Sequence, residues 1–159
     1  MGYETDTFTL ATGLACTGAA TPGVCTVGSV TMPSSDFQRG VLRIKFAAIT
    51  TAPTSLFVFL QNQDVASGGA TDWYPNPAAV ASPNFVAALA AKDPNNPLIC
   101  GGQVQLAATP ATTDRYSIPL DTPAFPGNLA RLAVLAIGAS ASFTLTVTAD
   151  MQKWVADFS

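Results

Sequence analysis

The sequence contains no histidine. That absence removes Ser–His and Cys–His nucleophile pairs, and with them the commonest protein ligand for metals. A Walker phosphate loop and a dinucleotide-binding glycine fingerprint are missing too. The nearest approach to a nucleophile elbow, "GASAS" at 138–142, lacks the closing glycine. Charge is scarce: Asp, Glu, Lys and Arg make up 11% of the chain, against roughly 25% in ordinary soluble domains. Charge keeps free proteins soluble and apart, so a surface this poor in it suits a chain that works against other protein. Seven basic and ten acidic residues leave a net charge of −3. Only Arg39, Arg43 and Lys45 lie close together in sequence, so no basic stripe for nucleic acid is expected. A mildly acidic chain is also a poor match to anionic membranes.

Long apolar runs are lacking as well. The longest, "LARLAVLAIGASA", is interrupted by Arg131 and Gly138 and is too short to span a bilayer. The opening "MGYETDTFTL" has no basic region followed by an apolar run, so synthesis in a cytoplasm is the expectation. Cysteines number three. Cys16 and Cys25 flank the loop-like "TGAATPGV"; either a disulfide pins that loop, or both thiols stay reduced as in most cytoplasmic products. Cys100 then serves as a small buried hydrophobe.

Acidic residues are scattered, and most sit where Asp is a common turn former. Paired carboxylates for glycoside hydrolysis therefore have no obvious seat. Asp64 and Asp72 bracket a glycine-bearing loop whose oxygens suit calcium, but the EF-hand spacing is absent. No catalytic residue, metal or cofactor is expected.

What is present is strand signal. Apolar residues make up 48% of 159 residues, enough for one domain with its own core. "TDTFTLAT" (5–12) and "VCTVGSVTM" (24–32) read as the first two strands. In "VLRIKFAAI" (41–49), Leu42, Ile44 and Phe46 alternate with Arg43 and Lys45, which predicts an inward and an outward face. "SLFVFLQNQ" (55–63) is different. Its neighbouring side chains must point to opposite faces, yet Leu56, Phe57, Val58, Phe59 and Leu60 are all large and apolar. Both faces then need cover. The second cover is expected from a short helix at 82–92, capped by Ser82 with Pro83 in its first turn, or from a neighbouring subunit.

"LICGGQVQLAA" (98–108) reads as a strand with a glycine-marked bulge. "DRYSIPLD" (114–121) reads as another, with Pro119 favouring an edge or a strand end. "NLARLAVLAI" and "SFTLTVTADM" read as a closing hairpin around "GASA". In its second arm Phe143, Leu145, Val147, Ala149 and Met151 alternate with Thr144, Thr146, Thr148 and Asp150. The sum is an all-β chain: one β-sandwich domain over 1–159, a jelly roll of about eight strands with one short helix in an insertion.

Four aromatic residues are candidate contacts. Trp73 and Tyr74, in a Pro/Gly-rich loop, suit a protein contact, a sugar platform or a flap over the core. Trp154 and Phe158 belong either to a continued last strand and packed tail, or to an arm (152–159) that reaches a neighbour.

Two stretches, "PTSLFVFLQNQDVASGGATDW" and "DRYSIPLDTPAFPGNLARLAVLAIGASASFTLTVTAD", cover roughly half the chain. They resemble segments of the capsid cement (decoration) proteins of tailed bacteriophages. In that family an apolar strand with a Gln-containing end leads to an Asp- and Gly-bearing loop and an aromatic residue. Its closing segment has a strand, a proline-bearing loop and two strands around a small-residue turn. The resemblance implies a jelly-roll-like subunit that forms homotrimers on the exterior of a virion. It would bind the major capsid protein and lock the shell, with no active site. The alternative from the residues is a carbohydrate- or receptor-binding sandwich, such as a virion spike, adhesin or pilus-like subunit.

Overall fold

Alternation of apolar and polar side chains builds most of the strands. The computed structural model describes residues 2–20, 25–33, 37, 39–63, 73–74, 100–121 and 129–155. Among them are nine strands: β1 (Gly2–Thr17), β2 (Cys25–Pro33), β3 (Arg39–Thr51), β4 (Ser55–Gln63), β5 (Trp73–Tyr74), β6 (Cys100–Gln103), β7 (Tyr116–Asp121), β8 (Leu129–Ile137) and β9 (Ser142–Val155). The predicted helix at 82–92 lies outside the described residues.

The strands form two antiparallel sheets. Sheet A has the order β1-β9-β3-β7, and sheet B the order β2-β8-β4-β5, with β6 also on β4. The pairing is nested. The first strand pairs with the last, the second with the eighth, the third with the seventh and the fourth with the sixth. A long double-stranded ribbon is thus rolled so that β9 also meets β3 and β8 also meets β4. That is the jelly-roll arrangement of a two-sheet sandwich.

This order corrects the expected closing hairpin. β8 and β9 do not pair; β8 lies between β2 and β4, and β9 between β1 and β3. The turn at Gly138–Ala141 carries the chain from one sheet to the other. Ser140 adopts a positive φ of 56° in it, and the Ala141 amide donates to the Gly138 carbonyl. The flanks are tied to other corners: Gly18 N–H donates to Ala141, Gly138 N–H to Ala19 and Thr54 N–H to Ile137. A small-residue turn is equally suited to a hairpin and to a crossover, so the local sequence did not distinguish them.

The main core lies between the sheets. From sheet A it receives Leu42, Ile44 and Phe46 of β3, and Phe143, Leu145, Val147, Ala149 and Met151 of β9. From sheet B it receives Leu56, Val58 and Leu60 of β4, and Ala130, Leu132, Val134 and Ala136 of β8. Each fully buried Leu, Ile or Phe contributes about 1.5–3 kcal/mol. A second cluster sits on the outward side of sheet B: Phe57, Phe59, Ala133 and Leu135, with Val27 and Ile137 against it. Phe57 and Phe59 are 2% and 0% exposed in a single copy of the chain. Their cover is therefore intramolecular, and burial of this face needs no oligomer mate.

Two further expectations are refined. Of the strand expected at 98–108, 100–103 form β6, 104–108 are not strand and 98–99 lie outside the described residues; the register of β6 against β4 runs without a bulge. Gly101 serves close approach instead: with φ +143°, a Cβ on it would run into the Val58 carbonyl and the Phe59 backbone. β7 is the edge of sheet A, one of the two places that suit Pro119. Cys16 is buried in the core, and its Sγ lies 3.5 Å from the Leu14 carbonyl oxygen.

Candidate interaction surface

The outward face of sheet A is the most functionally distinctive surface among the described residues. Period-two geometry assigns its members. Inward Phe143, Leu145, Val147, Ala149 and Met151 force Thr144, Thr146, Thr148, Asp150, Gln152 and Trp154 of β9 outward. The register then sets Tyr3 opposite Trp154, Thr5 opposite Gln152 and Thr7 opposite Asp150 on β1. On the other side Arg39 lies opposite Gln152, Val41 opposite Asp150, Arg43 opposite Thr148 and Lys45 opposite Thr146. β7 adds Ser117 beside Arg43 and Pro119 beside Val41.

Polar ties run across this face. Thr7 Oγ1 donates to Asp150 at 2.7 Å, and Arg43 Nε donates to the other oxygen of the same carboxylate. Those two bonds, the Arg43 bond first, hold Asp150 below the usual carboxylate range. One row along, Arg39 Nε donates to Gln152 at 2.6 Å, and Gln152 Nε2 donates to Thr5 at 3.4 Å. Each tie links β3, β9 and β1.

At one end stands an aromatic pair. Tyr3 and Trp154 meet edge to face with ring centroids 5.0 Å apart, and Arg39 lies 4.5 Å over the Tyr3 ring. Both rings stay about half exposed, at 48% and 46%. Exposed Tyr, Trp and Arg together are the residue types that protein interfaces favour. Lys153, on the opposite side of β9, bridges Glu4 and Asp6; Asp6 above all pushes its pKa up.

At the other end Arg43, Lys45, Arg115, Tyr116, Ser117, Thr146 and Thr148 line an open groove of about 430 Å³. A companion groove of about 460 Å³, on the Thr5–Arg39–Gln152 side, contains Asp150. Arg115 is held by bonds from Nη1 to the Thr112 and Asp114 carbonyls at 3.1 and 3.0 Å. Tyr116 packs its ring on Phe46, donates its hydroxyl to Asp114 and accepts the Ala107 amide. Burial, foremost, pushes its phenol up, so it remains a neutral donor.

The face thus carries four of the chain's seven cations: Arg39, Arg43, Lys45 and Arg115. Sequence proximity showed three of them; the β3–β7 pairing adds Arg115, seventy residues from Lys45. Beside the Arg39, Arg43 and Lys45 row of β3, about 20 Å long at strand spacing, Arg115 adds a fourth cation to this face, and Arg43 is already paired with Asp150.

The sequence-derived candidates separate. Trp154 lies on this face, inside β9, which continues as a strand through Val155. Trp73 and Tyr74 are not loop residues: they form β5, paired with Gln63 and Asn62 of β4 on sheet B. Phe158, Asp64 and Asp72 lie outside the described residues. Tyr3 was missed because nothing local marks it; its partner is 151 positions away. Comparison with known proteins finds no matching family model and no matching curated sequence.

Proposed function

We propose that the protein is a non-enzymatic virion structural subunit. It binds the exterior of a bacteriophage capsid as a homotrimer and stabilises contacts between major capsid proteins, after synthesis in the host cytoplasm. The observation that supports this best is the half-exposed Tyr3–Trp154 pair, with Arg39, at the end of a broad sheet face braced by cross-strand ties. Rigid aromatic and Arg anchors on a preorganised surface suit stable docking to another protein. The low overall charge and the resemblance to cement proteins point the same way. The test is addition of the purified chain to undecorated capsids, followed by cryo-EM and sedimentation. The expected result is ordered density on the shell exterior, lost with Trp154→Ala, and a trimer in solution. A monomer that never associates with any shell overturns the reading.

The companion groove, with Thr5, Arg39, Asp150 and Gln152, offers the mixed donors and acceptors that suit sugar hydroxyls. It favours a carbohydrate- or receptor-binding sandwich as the second reading. A glycan array separates the two: a signal lost with Gln152→Ala selects the second.

A further inference from the structure

We infer that the groove lined by β3, β7 and β9, which includes Lys45 and Arg115, docks carboxylate side chains of an acidic segment on the partner protein. This rests on the proposed role as a protein-binding subunit and assigns the charge of the matching surface.

Arg43 is paired with Asp150. Lys45 and Arg115 have no carboxylate partner among the described residues. The Arg115 contacts are to backbone carbonyls, which fix the guanidinium without cancelling its charge. Asp114 is the nearby acid, and its Oδ2 already accepts the Tyr116 hydroxyl and the Ala111 amide. The groove therefore presents two cations without a salt-bridge partner among the described residues, Arg115 held by backbone carbonyls and Lys45 exposed, flanked by the hydroxyls of Ser117, Thr146 and Thr148. Fork-shaped guanidinium and ammonium donors beside hydroxyls match carboxylates.

Charge complementarity also selects among anions. A chain with net charge −3 and one short stripe lacks the extended positive field that tracks a phosphate backbone. A protein surface bearing a few carboxylates asks only for local pairing, and polar rim contacts of this kind set register and on-rate.

The test uses a short oligoglutamate peptide as probe, followed by NMR titration of the intact chain. Saturable shifts are expected at Lys45, Arg115 and Thr146, weakening as salt rises from about 50 to about 300 mM. The double variant Lys45→Gln, Arg115→Gln is expected to bind about tenfold more weakly or worse. Lys153→Gln, which removes a charge from the other side of β9, is expected to bind as the parent does. No saturable shift, or equal weakening by Lys153→Gln, overturns the inference. Binding of heparin or inorganic sulfate at the groove without binding of the peptide also overturns it. The capsid arm separates the two claims. If the double variant decorates capsids as well as the parent does, the groove assignment fails while the capsid role stands. If the chain binds the peptide but no shell, the groove assignment stands and the capsid role fails.

Discussion

Arg43 on β3 donates its Nε hydrogen to Asp150 on β9, and Thr7 on β1 donates to the same carboxylate. One side chain therefore bonds to both neighbouring strands. Asp150→Asn removes the charge and weakens both bonds. Because Arg43 is largely exposed, the expected cost is only about 1 kcal/mol in urea denaturation at neutral pH. The sign of the pH dependence follows from the lowered pKa of Asp150. Its stabilisation is complete above the unfolded value of about 3.9 and is lost as pH falls through the lower folded value. The difference between parent and variant should therefore shrink below about pH 4.

Gly101 offers a sharper test. Its positive φ and the Val58 carbonyl behind it leave no room for a methyl group. Gly101→Ala is expected to cost about 2–4 kcal/mol or to prevent folding, through strain and displacement of β6 from β4. Gly102 is the control: a Cβ there meets nothing, so Gly102→Ala should be tolerated far better. Thermal unfolding of the two variants makes the comparison.

Asn62 points inward at the end of β4, 1% exposed, and among the described residues neither its Nδ2 nor its Oδ1 has a hydrogen-bond partner. A buried amide without partners costs about 1–3 kcal/mol. Asn62→Leu should therefore raise stability, by about 1 kcal/mol. Loss of stability would mean that the amide is satisfied in solution.

Trp154 and Phe59 should behave in opposite ways. Trp154→Ala removes a half-exposed ring and one edge-to-face contact, a loss of about 0.5–1.5 kcal/mol, and on the proposed role it should also abolish docking to a capsid. Phe59→Ala empties a fully covered site and should cost about 3–5 kcal/mol. Since the cover of Phe59 is intramolecular, that penalty should be the same in dilute and concentrated samples. A concentration-dependent penalty would show that a second copy supplies the cover.

The sequence was most informative where a strand's own pattern decides its surroundings. Ser55–Gln63 was bounded correctly because five apolar neighbours end abruptly at Gln61, and the β9 alternation named its buried face residue by residue. Pro119 marked an edge because it cannot donate to a ladder. Long-range choices were not legible. β1 runs from Gly2 to Thr17, well beyond 5–12, because β9 continues to offer it partners past two irregularities of register. The same limit hid the candidate face. Leu42, Ile44 and Phe46 announced that Arg43 and Lys45 point outward, but no local signal says that Arg115 joins them or that Tyr3 meets Trp154.

The nested pairing has a consequence for the timing of assembly. β1 and β9 join residues from opposite ends of the described chain, and loop closure over such a separation makes this kind of topology slow to fold. The aromatic pair and both cross-strand ties sit on that outermost pairing. A chain still attached at one end to its synthesis machinery, or cut short before Ser142, has the inner strands but no such surface. On the proposed role, competence to dock would thereby be coupled to completion of the fold.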